Sequence, residues 1–179
     1  AGVLWTVSAG NYRQKHWGGT FADADDDTLM EFSGTDEGNL VTVGASSQLC
    51  STLRWDAWPQ TTEDLDFELR LTSDDTLLAG SYNDQAGLLS APVESLCWTN
   101  PTASNVNLYL TVVKYSASTT PAVDLFVTGL TSDLEYAVAT RSISDPASSP
   151  WVLTVGASCF TMAGGNTGST TVYPEETYS

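Results

Sequence analysis

Apolar residues at every second position are the feature that most restricts how this chain can fold. The segment Leu65-Asp66-Phe67-Glu68-Leu69-Arg70-Leu71 alternates strictly between apolar and charged side chains. This spacing puts the apolar side chains on one face of a β-strand and the charged ones on the other. Residues 106–115 and 123–127 alternate in the same way. No window carries a long apolar stripe at the helical period, so we expect an all-β fold without a substantial helix.

Shorter candidate strands lie between turn-forming residues. Turn signals include Trp58-Pro59, Asn83-Asp84, Asn100-Pro101 and Thr120-Pro121. Short strands separated by such turns are typical of a two-sheet antiparallel β-sandwich, here with seven to nine strands. The shorter candidate strands are residues 40–43, 51–55, 76–82, 93–98 and 134–139.

Composition limits the classes of function. The 179 residues carry 6 Lys and Arg against 22 Asp and Glu, a formal net charge of −16. So acidic a chain would repel nucleic-acid phosphates and anionic lipid, so we expect neither a nucleic-acid nor a membrane partner. Its 41% hydrophobic residues, which include 6 Trp, argue against disorder. The length suits about one domain. Few lysines and many Ser, Thr, Gly and Asn residues indicate a secreted protein, and we expect its export signal to lie outside this sequence.

The two ends of the chain differ from its middle. Residues 3–7 and 151–155 are short, nearly continuous apolar runs, each followed by small residues. Strands that are apolar on both faces are typical of a parallel sheet buried between helices. The chain offers no helices that could bury them. The final stretch, from residue 163 to 179, is rich in Gly, Thr and Ser and is expected to be a loop or tail.

The ends resemble subtilisin-like serine peptidases. Trp5-Thr6-Val7-Ser8-Ala9-Gly10-Asn11 resembles the strand and turn that carry the family's oxyanion-hole asparagine, and residues 150–157 resemble the next strand of the same parallel sheet. Residues 142–147 fit the loop that enters that strand. Glu176-Thr177-Tyr178-Ser179 resembles the lead-in to the family's Y-S-S-x-G segment. In the family these strands are joined by a short loop, whereas about 140 residues separate them here.

The middle of the chain is similar to the bacterial pre-peptidase C-terminal domain, a small jelly-roll-like β-sandwich of secreted proteases. The likeness rests on five segments in order, which are residues 53–56, 64–69, 92–94, 108–112 and 124–127. Together the two resemblances divide the chain into a subtilisin-like strand and turn (1–17), an inserted sandwich (18–140) and a return loop, strand and tail (141–179). Because an insert must leave and re-enter its host sheet, we expect strands 3–7 and 153–155 to be parallel neighbours.

The resemblance implies a serine endopeptidase as parent, but this chain lacks the catalytic triad. No Asp-[ST]-Gly, His-Gly-Thr or Gly-Thr-Ser-x-Ala context is present, and the one histidine, His16, is expected in a surface or loop position. Gly168-Ser169 lacks the residues that would position a nucleophile. The resemblance makes Asn11 an oxyanion donor in a parent enzyme only; otherwise it is a turn asparagine.

The leading expectation is therefore a non-catalytic insert of a secreted subtilisin-like peptidase that modulates substrate access, stability or assembly. Its partner would be the rest of the peptidase chain or a second copy. The alternative is a standalone secreted binding or structural module that uses calcium or an aromatic face.

Two acidic groups are candidate calcium sites. Asp23, Asp25 and Asp27 alternate along one loop with Glu31 close behind, and Ca²⁺ prefers several carboxylate and carbonyl oxygens. The loop does not fit an EF-hand, because Thr28 and Gly34 stand where that motif needs Gly and Glu. Asp64 and Asp66 are expected to share one face at the start of a strand. The alternatives are a solvated acidic loop and an ordinary wet strand face.

Two further groups have both a structural and a functional interpretation. Cys50 and Cys97 fall in two predicted strands, where they form either a disulfide or two buried thiols, with Cys159 left over. Aromatic residues on the strands either pack in the core or form an exposed binding platform. The platform candidates are Trp55, Trp58 and Trp98, with Tyr109 and Tyr115 beside them.

Overall fold

The computed structural model describes residues 2–156. This part of the chain contains ten strands and one turn of helix, joined by loops. None of the helical structure within that range is long and apolar enough to cross a bilayer. The elements are β1 (Thr6–Ser8), β2 (His16–Thr20), β3 (Asn39–Val43), β4 (Gln48–Trp55), β5 (Asp64–Leu71), β6 (Leu77–Ser81), α1 (Gln85–Leu88), β7 (Val93–Thr99), β8 (Val106–Ser116), β9 (Ala122–Thr128) and β10 (Leu153–Val155).

Eight of these strands form two four-stranded antiparallel sheets. The first sheet has the order β2-β9-β4-β7 and the second the order β3-β8-β5-β6. From β2 to β9 the chain crosses from one sheet to the other at every connection except β5 to β6, which pair as antiparallel neighbours. Repeated crossing between sheets is the connectivity of a jelly-roll-like sandwich. The expected all-β antiparallel sandwich is confirmed.

The alternating pattern explains the core. On β5 the side chains of Leu65, Phe67 and Leu69 are fully buried, whereas Asp66 and Arg70 on the opposite face remain half-buried. Alternate side chains of β8, in the same sheet, and of β4 and β9, in the other sheet, also point inward and pack with them. The largest fully buried members of this core are Trp55, Phe67, Met30, Leu49, Leu53, Leu65, Leu69, Leu108, Leu110, Leu125 and Leu134.

A third, two-stranded sheet joins the two ends of the described chain. β1 and β10 pair in parallel, with Thr6 opposite Leu153 and Ser8 opposite Val155. The backbone N–H of Leu153 donates to the carbonyl of Trp5 at 2.8 Å, and that of Ala9 donates to Val155 at 2.9 Å. The predicted parallel neighbours are therefore confirmed, over a shorter range than residues 3–7. We call this pair the terminal sheet.

Two local predictions were wrong. Residues 134–139 are not a strand: the N–H of Leu134 donates to Gln14, that of Val138 to His16 and that of Tyr136 to the side chain of Asn39, so no continuous ladder forms. Conversely, β2 was not predicted, because its sequence HWGGT has two glycines and no alternation. β2 pairs with β9 inside the sandwich and therefore spans the boundary expected at residue 17.

Candidate functional site

The terminal sheet and the residues that directly precede its two strands expose apolar side chains of the kind that a parallel sheet normally buries. Trp5 is 66% exposed and Trp151 88% exposed, and Val3, Leu153 and Val155 are also largely exposed. Parallel sheets almost always have both faces covered, and a two-stranded sheet alone is at best marginally stable. An exposed apolar group of this kind usually marks a surface that another part of a protein covers.

Asn11 follows the terminal sheet directly. Gly10 has a φ of +79°, a left-handed conformation that glycine adopts without strain, and it turns the chain away after β1. Asn11 is exposed and lines a cavity of about 520 Å³ together with Ser8, Tyr12 and Ile143. An amide at the rim of such a cavity can donate hydrogen bonds to a bound group.

His16, expected in a surface or loop position, is fully buried on β2. Its Nδ1 lies 2.8 Å from the carbonyl of Val138 and its Nε2 lies 3.0 Å from a carboxylate oxygen of Asp124. Both ring nitrogens are thus engaged in the fold. A general base needs a free nitrogen within reach of substrate, so His16 cannot serve the triad mechanism.

The acidic loop brings three carboxylates together. One oxygen each from Asp23, Asp25 and Asp27 can lie within 4.8 Å of the others. Two oxygens on opposite sides of a Ca²⁺ ion are about 4.6–5.2 Å apart, so this spacing suits calcium. Asp23 also pairs with Lys114, whose hydrogen bond holds the pKa of this carboxyl below its usual value.

Glu31 lies against the same loop. Its Oε1 accepts a hydrogen bond from the backbone N–H of Ala24 at 2.8 Å, between Asp23 and Asp25. The residue is only 7% exposed, and its Oε2 is buried without a hydrogen-bond partner among the described residues. A buried carboxylate oxygen without a partner is costly unless something else binds it. In the described part of the chain the close carboxylate group comprises Asp23, Asp25 and Asp27 and does not include Glu31, so this predicted ligand lies beside the group.

Asp64 and Asp66 form a weaker candidate than the acidic loop. The β5–β8 ladder shifts register between Asp64 and Leu65, so Asp64 is buried whereas Asp66 is half-buried. Burial, together with the carboxylates of Asp64, Glu94 and Glu68, raises the pKa of Asp66 to about 6. Within residues 2–156, these carboxylates are not part of a close group of three like that of the acidic loop.

Cys50 and Cys97 form a disulfide. They face each other across the β4–β7 ladder, 47 residues apart in sequence. The third cysteine, Cys159, lies outside the described residues, as do Gly168, Ser169 and the tail. The bond ties an edge strand of the first sheet to its neighbour.

The three tryptophans do not form a common platform. Trp55 belongs to the core, and Trp98 is half-buried and packs against the core. Only Trp58 is largely exposed. Trp55 has the same parity on β4 as the buried Leu49 and Leu53, a signal that could have identified it as a core residue. Away from this trio, Tyr115 is exposed at the end of β8, and Tyr109 is half-buried.

Sequence reasoning missed the buried carboxylate of Glu94. Glu94 accepts hydrogen bonds from the backbone and side chain of Asn83, at 2.8 and 2.7 Å, and from the side chains of Gln85 and Ser81. Its parity on β7 equals that of the buried Leu96, which was the available signal. The network anchors α1 and β6 to β7, which is a structural role.

Comparisons with known proteins give a likeness among solved structures. No protein-family model matches the chain, and no curated protein matches it. Among solved structures, the pre-peptidase C-terminal domain of a collagenase from Bacillus anthracis is similar to it, with a TM-score of 0.40 and 14% sequence identity. That similarity covers 70% of this chain and 95% of the collagenase domain.

Proposed function

We propose that this chain is a non-catalytic β-sandwich insert of a secreted subtilisin-like serine peptidase. In this proposal the terminal sheet is part of the host's parallel sheet, and the sandwich stands out from it. The insert shapes access to the substrate cleft and stabilises the enzyme.

The exposed terminal sheet is the observation that carries the proposal. Its strands lie side by side and parallel, although 144 residues lie between the end of β1 at Ser8 and the start of β10 at Leu153. Their apolar side chains need cover on both faces, and host strands and helices would provide it. The same segments carry the subtilisin-like sequences. Geometry and sequence likeness therefore point to the same partner.

Asn11 has a defined place in this proposal. An oxyanion donor must lie beside a space that a substrate carbonyl can enter. Asn11 follows β1 and lines the adjacent cavity. The attacking serine and its base would come from the host, because His16 is buried and engaged with Asp124.

Secretion fits the disulfide between Cys50 and Cys97, since such bonds persist in oxidising compartments. If the host sheet is absent, the same apolar surface would drive self-association. The remaining peptidase chain and a second copy are thus the two partners that the terminal sheet favours.

Hydrogen exchange on the product of the complete reading frame tests the proposal. The outer edges of β1 and β10 are expected to exchange about 100-fold more slowly there than in the present chain, because host strands bond to them. A serine-directed fluorophosphonate should label the complete product and not this chain. Equal exchange in both, or a frame that encodes only a signal peptide and this chain, would exclude the insert.

A calcium-dependent binding module is the second candidate function. The observation in its favour is the close group formed by carboxylate oxygens of Asp23, Asp25 and Asp27. Glu31, bonded to Ala24 of the same loop, also has a buried Oε2 with no hydrogen-bond partner among residues 2–156. A bound Ca²⁺ would neutralise these carboxylates and fix the loop between β2 and β3.

Calorimetric titration with Ca²⁺ after treatment with chelator tests the second candidate. We expect binding heat and a rise in melting temperature, both lost in the double variant D25N/D27N. The matched control is D74N, an exposed turn aspartate elsewhere. Absence of binding heat, or equal binding by D25N/D27N, would rule out this site.

A further inference from the structure

The outer face of the second sheet contains a groove of about 790 Å³. Its base is the outward side of β5 and β8, and its wall is the loop that leads into β3. We call it the outer-face groove. It is distinct from the terminal sheet and from the acidic loop, although the acidic loop lies beside one end. The side chains used below are Leu29, Glu37, Leu40, Arg70, Tyr109 and Thr111.

Strand register creates this groove. Leu40 pairs with Tyr109 of β8, and Leu29 forms an isolated bridge with Val113. The β3–β8 ladder begins at Asn39 opposite Leu110, so only residues 111 and 112 of β8 lie between the ladder and the bridge, but residues 30–38 lie between them on the other side. The extra residues must leave the sheet as a loop, so no strand residue continues the sheet beside Thr111. The groove therefore follows from the way β3 and Leu29 pair with β8.

Thr111 lies at the base of the groove with an unused hydroxyl. It stands opposite Glu68 of β5 and is only 3% exposed. Its Oγ1 has no hydrogen-bond partner among residues 2–156. Most buried hydroxyl groups in proteins are paired, and an unpaired one is costly. A ligand that donates a hydrogen bond here would satisfy it.

Some carboxylates around the groove have an ion-pair partner among the described residues, and Glu37 does not. Glu68 accepts from Arg70 at 2.7 Å and from Tyr82 at 2.8 Å, and Asp75 pairs with Arg70 and with Tyr109. Glu37 has no ion-pair partner in the described part of the chain. One end of the groove is thus an uncompensated anionic position.

Apolar surface continues from that anionic end. The exposed Leu40 and the ring of Tyr109 lie in neighbouring strands, and Leu29 forms its bridge with Val113, which is four residues further along β8. A long cationic side chain has the matching chemistry, because its alkyl stem packs on apolar surface while its head group meets a carboxylate. A ligand with carboxylates would be repelled.

We propose that the outer-face groove binds an extended basic peptide segment of another protein, with a Lys or Arg head group beside Glu37 and its stem over Tyr109 and Leu40. A peptide N–H or guanidinium N–H of the segment donates to the Thr111 hydroxyl. The net charge of −16 accelerates the encounter and makes it sensitive to salt.

A titration monitored by NMR of the ¹⁵N-labelled full chain tests this proposal. The probe is acetyl-(Arg-Gly)₃-amide, and the matched peptide carries Glu in place of Arg. We expect amide shifts around Glu37, Tyr109 and Thr111 with the Arg peptide alone, weakened between 20 and 200 mM salt. The titration is run with chelator and again with Ca²⁺, to separate the groove from the acidic loop.

Three variants complete the test. E37Q should weaken binding about threefold, within the range of an exposed ion pair, whereas D56N removes the same charge from the first sheet and should leave binding unchanged. T111V should weaken peptide binding without lowering the melting temperature. If the Thr111 hydroxyl had a purely structural role, the melting temperature would fall instead. Equal effects of E37Q and D56N, equal binding of the Glu peptide, or shifts confined to residues 23–27 would overturn the proposal.

Discussion

His16 and Asp124 are hydrogen bonded across β2 and β9, with Nε2 and Oδ1 3.0 Å apart and the imidazole fully buried. The other ring nitrogen lies 2.8 Å from the carbonyl of Val138. The same carboxylate pairs with Arg141 at 3.2 Å. This relationship links the edge of the sandwich to the segment that returns to the terminal sheet.

Removing the carboxylate should destabilise the fold. D124A leaves the buried Nε2 of His16 without its acceptor and removes the ion pair of Arg141, which keeps its hydrogen bond to the carbonyl of Val123. We expect a cost of about 2–3 kcal/mol in the free energy of unfolding. Urea unfolding followed by tryptophan fluorescence measures this cost. D133A, at an exposed position with one surface hydrogen bond to Gln14, is the control and should change stability by less than about 0.5 kcal/mol. Equal losses in both variants would contradict the buried pairing.

The same pair makes the free energy of unfolding depend on pH, and the sign of this dependence follows from the pKa of Asp124. Burial alone would raise the pKa of Asp124, but the hydrogen bond from His16 and the charge of Arg141 outweigh it, so the pKa is lowered. A lowered folded-state pKa contributes stability above the unfolded value of about 3.9 that is lost as pH falls through the folded value. The difference between wild type and D124A should therefore shrink below pH 4. A constant difference from pH 7 to pH 3 would contradict this.

The disulfide between Cys50 and Cys97 should contribute substantially to stability. It closes 47 residues, for which the chain-entropy model gives about 4 kcal/mol. The double variant C50S/C97S should lose about this amount in urea unfolding, yet keep the β-sheet circular dichroism signal because β4 also pairs with β9. Wild type treated with reductant should behave like the variant. An unchanged unfolding midpoint in both would mean that the bond does not constrain the unfolded chain.

How far the fold could be predicted depends on how regularly each strand alternates. β5, β8 and β9 alternate in sequence and are strands of the structure. β2 could not be predicted, because Gly18 and Gly19 have no side chains to show a pattern and the strand is fixed by pairing with β9. Residues 134–139 show alternation, but their hydrogen bonds go to several different elements.

The sites could be predicted only where their members are close in sequence. The spacing of Asp23, Asp25 and Asp27 indicated a loop of converging carboxylates, and the structure brings them together. Glu37 lies ten residues further on, and only the loop before β3 brings it near Asp25 and Asp27. Thr111 is an ordinary outward strand residue in sequence, and only the register of segments far apart in the chain leaves its hydroxyl without a partner among residues 2–156.

Asp66 should make the protein less stable as pH rises. Its folded-state pKa of about 6 lies above the unfolded value of about 3.9, so between these values the native state binds more protons than the unfolded state. Stability therefore falls as pH rises from 4 to 6. D66N should raise the melting temperature by about 2 °C at pH 7.5 and leave it unchanged at pH 4. D74N, at an exposed turn, is the control, and an equal rise at both pH values would contradict the titration of Asp66.

The terminal sheet should drive self-association of the isolated chain. Burying Trp151 and Val3 at a shared surface removes apolar area from water, and a buried tryptophan commonly contributes more than 1.4 kcal/mol to an interface. The double variant V3S/W151S should therefore raise the dissociation constant at least tenfold in sedimentation velocity. The control is Y115S, because Tyr115 is 74% exposed on the sandwich, away from the terminal sheet. A chain that stays monomeric at all concentrations, or an equal loss in Y115S, would show that the terminal sheet is not the associating surface.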